Sequence, residues 1–352
     1  MKIVLVYPHK NSARTPDAIG FNLAKELTKR GHDVVSLDLR EYSEMDLPSD
    51  SANWILLGHP TWRIEDTFYQ LWKNKRWKQV SILCPFCPGD PRTYAYLGIL
   101  GNYVDTFGAI MGEVWKDKCD QTIFSELEDS FTQIDLAVDS AQFPPLSPDN
   151  LEKKDPKKWL FVGNHPHFKN VEYLNKLAVN LPDFEFHRIG PIKRRFKALI
   201  QHGQIELLSK EYMEVAEFCR FFVTPGTIDA NPTTILEAMG VGLVPVAPVG
   251  SGYYETSGIL PISGVSLTKD IELIYQYSEM PDSEIQLRLE ENKLRLLERF
   301  NWIRFTDEVL ASIEKPILRR KAASRVFWRF FLRNKISPIK FEKFLQSCAV
   351  KV

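Results

Sequence analysis

Short apolar runs alternate along the chain with stretches in which apolar positions recur every three or four residues. That alternation is the mark of a parallel α/β sheet, whose strands are buried on both faces and whose helices are buried on one. Lys2–Tyr7 reads as a first strand, Ala18–Arg30 as an amphipathic helix ended by Gly31, and Asp33–Leu39 as the second strand. Trp54–Gly58, Gln79–Cys84 and Ile134–Val138 are further buried-strand runs. After Phe143–Pro148 and the charged stretch Leu151–Lys158 the alternation restarts. It predicts strands at Trp159–Val162, Phe184–Ile189, Gln204–Leu208, Phe221–Thr224 and Leu243–Pro248. Helices are predicted at Val171–Leu181, at Tyr212–Arg220, from Pro232 to Met239, and through a charged region from Glu284 to about Ile313.

With 352 residues the chain has room for two domains, each with its own core. Pro144, Pro145 and Pro148, then Lys153, Lys154, Lys157 and Lys158, mark residues 147–158 as a linker. It would divide an N-terminal lobe, 1–146, from a second lobe, 159–314, and leave 315–352 as a tail. The expected fold class is α/β, with two Rossmann-like lobes facing each other across a cleft. Ligands in such folds sit at the carboxyl ends of the strands.

Composition narrows the classes. Apolar residues at 44% and charged residues at 26% exclude a disordered chain and a disulfide scaffold. No apolar run approaches the roughly 18 residues of a membrane-spanning helix, and the apolar part of MKIVLVYPHK is too short for a secretory signal. Five cysteines, Cys84, Cys87, Cys119, Cys219 and Cys348, are sparse and odd in number, which fits a reduced, cytoplasmic setting. Cys84 and Cys87 have the spacing of half a zinc or redox site. No second ligand pair lies nearby and turn sequence follows at Pro88–Pro91, so they read as structural. His165 and His167 read as loop residues, and no metal ligand set emerges.

The 45 basic and 45 acidic residues cancel, but unevenly. Residues 1–314 carry 34 basic and 44 acidic residues, a balance of −10, and the last 38 carry 11 basic residues and one acid, Glu342. Within the tail Arg325, Arg329 and Arg333 recur every four residues, with Phe327, Trp328, Phe330 and Phe331 on the other side at helical spacing. That pattern suits a helix lying on an anionic membrane surface, and equally a helix packing back on the first lobe. No nucleic-acid-binding motif accompanies the charge, so nucleic acid is not an expected partner.

Candidate chemistry concentrates between Asp229 and Gly240. Asn231 fits an N-cap and Pro232 the first helical position, leaving amides at Thr233 and Thr234 beside two hydroxyls as a ready anion site. Glu237 lies close enough to the same helix start to accept hydrogen bonds from ribose hydroxyls, and Asp229, eight residues earlier, could hold a sugar beyond the phosphates. On spacing alone, a capped helix with two solvated acids fits as well.

The neighbouring sequence resembles the retaining glycosyltransferases of family 4, which have the two-lobed GT-B fold. Glu237-Ala-Met-Gly-Val-Gly-Leu-Val-Pro245-Val246 resembles their donor-binding motif, with Asp229 as the first acid. Phe161-Val-Gly163 with Lys169 resembles their opening strand and phosphate-contacting lysine, Glu298-Arg-Phe-Asn-Trp302 a near-C-terminal helix junction, and Val138-Asp139 with Phe143 and Pro145 the segment entering the linker. Together these cover about residues 134–313. The resemblance implies a donor side in the second lobe and an acceptor side in the first. Glu237 would bind ribose, Asp229 would hold the transferred sugar and support positive charge at its anomeric carbon, and Lys169 with the Thr233 and Thr234 amides would neutralise the diphosphate. Gly163 and Asn164 would line the donor site; Lys193, Arg194 and Arg195 are either reinforcing cations or a solvated basic loop. His59, at the end of the run Trp54–Gly58, resembles the family's histidine that approaches the donor sugar, and reads equally as a loop histidine beside Pro60.

The resemblance further implies a hexosyltransferase with no metal and no cofactor. A UDP- or GDP-linked sugar would be the donor and a glycan or lipid-linked molecule the acceptor, in surface polysaccharide or glycolipid synthesis. Such an enzyme would be cytoplasmic, on the inner face of the cell membrane if the tail binds it. Departures from the pattern are Asp229 for the usual glutamate, Asn164 for the usual arginine, and Lys10–Ile19 in place of a Gly-Gly loop. They leave two alternatives: a non-catalytic nucleotide-sugar-binding scaffold, and a sugar-nucleotide epimerase on the same fold.

Overall fold

The computed structural model describes residues 1–11, 15–38, 47–59, 68, 71, 76–86, 104–114, 131–144, 151–163, 169–229, 231–253 and 258–315. They fall into two compact units. One is Met1–Met111, Trp115–Ile134 and Trp302–Val352; the other is Gly112–Val114 and Asp135–Asn301. These bounds differ from those expected for the lobes. Residues 155–158 of the expected linker already belong to a strand, and the last helix goes with the first unit.

The first unit is a six-stranded parallel sheet in the order β2-β1-β3-β4-β5-β6. Its strands are β1 (Lys2–Val6), β2 (Asp33–Leu37), β3 (Ile55–Gly58), β4 (Gln79–Pro85), β5 (Thr106–Ile110) and β6 (Phe131–Ile134). β1 pairs with β2 on one side and β3 on the other, so the winding reverses between β1 and β3. Helix α1 (Asp17–Lys29) buries Ala18, Ile19, Leu23 and Leu27 along one stripe. The close approach of α1 to the segment after β1 requires Gly20, where a Cβ would lie 2.2 Å from the Pro8 carbonyl oxygen. Gly31 ends the connection at φ +78, with open space around it.

The second unit is also a six-stranded parallel sheet, ordered β12-β11-β10-β7-β8-β9. Its strands are β7 (Asp155–Val162), β8 (Glu185–Ile189), β9 (Ile200–Gly203), β10 (Cys219–Val223), β11 (Val244–Ala247) and β12 (Leu260–Pro261). The helices are α2 (Val171–Asn180), α3 (Lys210–Phe218), α4 (Thr233–Gly240), α5 (Leu267–Ser278) and α6 (Asp282–Glu298). Helix α7 (Trp302–Glu314) returns to the first unit. There Arg30 binds the Ile303 carbonyl and pairs with Asp307, and Gln79 donates to the Ile313 carbonyl at 2.6 Å.

Two predicted strands need correction, and β5, β12 and α5 have no predicted counterpart. The strand predicted at Gln204–Leu208 is β9, displaced to Ile200–Gly203; Leu208 sits at φ 64 in a turn leading to Ser209, whose hydroxyl caps α3 by accepting from Tyr212 N–H at 3.2 Å. The run Ile134–Val138 is strand only at its first residue, because Asp135 turns into a buried polar network. β5 has no counterpart among the predicted strands: Thr-Phe-Gly-Ala-Ile is short, and Gly108 stands where a Cβ would lie 3.1 Å from Ile134 Cδ1 and 3.2 Å from Leu83 Cδ1.

The contact at Gly20 gives a direct test. Gly20→Ala should cost about 1–3 kcal/mol in urea unfolding through overpacking. Gly31→Asn, at an open left-handed position, should stay within about 0.5 kcal/mol of the native protein.

Candidate functional site

The chain winds the second sheet outwards from its middle, β7 to β8 to β9 on one side and β10 to β11 to β12 on the other. The reversal lies between β7 and β10. In open α/β sheets ligands bind outside the carboxyl ends of the strands at such a reversal. Lys169 follows β7 and Asp229 follows β10, and their side chains meet there, Nζ to Oδ2 at 2.5 Å. Both are largely buried, at 15% and 13% exposure, so solvent screens the pair far less than a surface ion pair.

Two asparagines in left-handed conformations aim this pair. Asn170, at φ 52, donates from Nδ2 to the carbonyls of Pro225 (3.3 Å) and Gly264 (3.1 Å), fastening the segment that carries Lys169 to the loop after β10. Asn231, at φ 51, is fully buried. The loop is held on its other side by Asp229 N–H to Gly250 O (3.2 Å) and Asn231 N–H to Ser251 O (3.1 Å). Gly250 is required for that approach, since a Cβ would lie 2.0 Å from Thr227 O. Asparagine tolerates the left-handed region better than other side chains do.

Asn231 is therefore not the N-cap expected from the sequence. Pro232, at ψ 126, holds the cap position without a side-chain hydrogen bond, and Thr233 is the first helical residue. The side chain of Asn231 is spent elsewhere, accepting from Leu136 N–H at 2.7 Å and donating to Asp135 at 3.3 Å. Thr234 Oγ1 is buried and has no hydrogen-bond partner among the described residues.

Glu237 lies one turn beyond Thr234 on the same side of α4, as residues three apart do. It is 9% exposed. Burial pushes its carboxyl up to about 7, against the opposing pull of the Lys169 charge. Burial, and then the nearby Glu237 carboxyl, hold the Tyr212 hydroxyl well above its ordinary value. An acid, a cation, a hydroxyl and a helix start thus share one end of one sheet, which is a site able to take an anion and hydrogen-bond to hydroxyls.

The other expected site residues are placed as follows. Gly163 lies beside Lys169, whose Cδ would be 3.7 Å from an added Cβ. Asn164 lies outside the described residues, as do Cys87, His165, His167 and the tail beyond Lys315. Arg194 is 65% exposed and pairs with Glu172 at 2.8 Å, and Lys193 and Arg195 are exposed. His59 belongs to the first unit, where it follows β3 at that sheet's own reversal; its N–H donates to Val6 O at 3.1 Å and its ring meets Tyr7 edge-on at 5.4 Å. Cys84 is buried. No cluster of metal-ligating side chains occurs among the described residues, and no described helix is long and apolar enough to cross a membrane.

Two parallel six-stranded sheets of this order define the GT-B architecture, and solved structures share it along nearly the whole chain. A sucrose-phosphate synthase from Thermosynechococcus elongatus matches with a TM-score of 0.66 at 12% identity, covering 88% of this chain and 98% of that one. An alpha-glucosyltransferase solved with UDP and a 13-mer DNA containing an HMU base matches with 0.63 at 13%, covering 90% and 100%. WaaG, a glycosyltransferase involved in lipopolysaccharide biosynthesis, matches with 0.60 at 13%, covering 89% and 99%. No family model matches the chain, and no curated protein matches it significantly.

The buried acid carries a prediction. Its folded value, about 7, exceeds the ordinary 4.5, so the native state holds the proton more tightly than the unfolded chain does. The resulting stability is complete below pH 4.5 and lost as pH rises through 7. Relative to Glu237→Gln, the native protein should lose about 3 kcal/mol between pH 4.5 and pH 8. Urea unfolding of both proteins across that range reads the difference.

Proposed function

We propose that this protein is a retaining glycosyltransferase related to family 4, moving a sugar from a UDP- or GDP-linked donor to a glycan or lipid-linked acceptor in surface polysaccharide or glycolipid synthesis. The observation that carries the reading is the meeting of Lys169, Asp229 and Glu237 at the reversal point of the second sheet, beside the start of α4. The fold shared with glycosyltransferases supports it.

Each residue has chemistry suited to its role. Lys169 exchanges its partner Asp229 for the diphosphate, with the amides at the start of α4 completing the anion site. Fixed donors of this kind, aimed at charge that develops on the leaving group, are worth on the order of 3 kcal/mol each. The separation frees the Asp229 carboxylate to hold sugar hydroxyls and to face the positive charge growing at the anomeric carbon. Glu237 accepts from the ribose hydroxyls, and the hydrogen bonds gained offset the cost of its buried charge. Gly163 leaves room for the diphosphate. His59 is assigned to the donor sugar by the sequence resemblance alone, and Asn164 and Arg194 stand at the margin of the donor reading. A side-chain cation and a helix start supply the charge a divalent metal would otherwise bring.

The basic tail is read as the contact with an anionic membrane surface on the cytoplasmic side. The pairing of Arg325, Arg329 and Arg333 with Phe327, Trp328, Phe330 and Phe331 supports this at the level of sequence.

Thermal-shift measurements with UDP, GDP and ADP test the donor site: one of the three should stabilise the protein, and Glu237→Ala should abolish the shift. If no nucleotide stabilises the native protein, the donor reading fails. Asp229→Asn should preserve nucleotide affinity while removing transfer and donor hydrolysis. Binding by the native protein without either activity would favour a non-catalytic scaffold. For the tail, co-sedimentation with vesicles containing anionic lipid should be lost on removing residues 318–352, and equal binding by the shortened protein rejects the membrane reading.

A further inference from the structure

Asn231 is a buried, non-glycine residue at φ 51 whose side-chain amide is engaged through both its oxygen and its nitrogen. Oδ1 accepts from Leu136 N–H at 2.7 Å, and Nδ2 donates to Asp135 Oδ1 at 3.3 Å. The other oxygen of Asp135 accepts from Arg299, at 2.7 Å from Nη2 and 3.2 Å from Nε. Arg299 Nη2 also pairs with Glu113, and Val138 N–H donates to Phe300 O at 3.0 Å. Glu113, Asp135 and Arg299 each lie within three residues of a point where the chain passes between the two units. One guanidinium thus joins three segments of the second unit and, through the Asp135 carboxylate, the loop that presents Asp229.

We infer that Arg299 is a positioning residue for Asp229: it fixes the Asp135 carboxylate, Asp135 with Leu136 fixes Asn231, and the left-handed turn at Asn231 sets the path from Asp229 into α4. Asp135 is 3% exposed, so removing Arg299 takes two charge-assisted hydrogen bonds from a buried carboxylate. With those two bonds gone the carboxylate is held less firmly, and so is its hydrogen bond to Asn231. The functional consequence rests on the donor site proposed above; the structural part rests on the hydrogen bonds themselves. Glu237 is held separately, because α4 buries Ile235, Leu236, Ala238 and Met239 in the unit's interior. Lys169 is held by the Asn170 contacts. Losing Arg299 should therefore misplace Asp229 while nucleotide grip survives.

Arg299→Ala and Asn231→Gly, which keeps a left-handed turn without the amide, test this in the full-length protein. Amide hydrogen exchange should accelerate about tenfold or more at Leu136, Asp229 and Asn231 in Arg299→Ala, while Phe221–Val223 of β10 keep their protection. With a nucleotide sugar that supports turnover, kcat should fall about tenfold or more and KM should move less than about threefold. Methylguanidinium should restore part of the lost rate to Arg299→Ala, and the double variant should lose no more than Asn231→Gly alone. Unchanged exchange at those three amides, acceleration spread evenly through β7 and β10, or independent losses in the double variant would each overturn the inference. If Arg299→Ala does not fold, Asn231→Gly decides, and native-like exchange and kcat in that variant reject the positioning role. If the native protein shows no turnover with any nucleotide sugar, the proposed function fails, while the exchange result still decides the role of Arg299.

Discussion

Lys169 and Asp229 meet at 2.5 Å because two strands distant in sequence are neighbours in a sheet wound outwards from its middle. Parallel strands point all their carboxyl ends one way, and a reversal of winding leaves the segments after the two central strands without a helix packed between them. β7 and β10 are those strands. Side chains delivered there can be held out of water by the walls of the fold and still be reached from one side. The ion pair, the buried acid and the start of α4 all follow from that topology.

Topology alone gives only proximity. Orientation comes from Asn170 and Asn231, each in a conformation that costs energy for a side-chain-bearing residue and each repaid by two side-chain hydrogen bonds. The electrostatics are equally constrained. Asp229 is paired with Lys169, and burial pushes the Glu237 carboxyl up to about 7, so two acids share one sheet end with their charges compensated or disfavoured.

Much of this was legible in the residues. The apolar runs within β1, β3, β4, β7, β10 and β11 stand out because strands buried on both faces keep few polar positions. The order Lys169, Asp229, Thr233, Thr234, Glu237 carried the site. What could not be read was long-range pairing. Asn231 has the local signature of a helix cap, and only the arrival of Asp135 and Leu136 turns it into a clamp. Asn170 had no signal beyond its tolerance of the left-handed region, because its partners Pro225 and Gly264 are remote in sequence. β5 escaped because Gly108 replaces the bulky residue expected of a central strand, and β9 because Gly203 and Leu208 set its end by backbone conformation rather than polarity. Helix α7 belongs with the first unit for a reason no local pattern contains: its partners Arg30 and Gln79 lie near the other end of the chain.

The most direct measurement is a crystal structure of the protein with a bound nucleoside diphosphate. The diphosphate should lie against Lys169 and the amides at the start of α4, with the ribose hydroxyls on the Glu237 carboxylate and the Lys169–Asp229 pair opened. A nucleotide bound elsewhere, or bound with that pair intact and Glu237 untouched, would contradict the account.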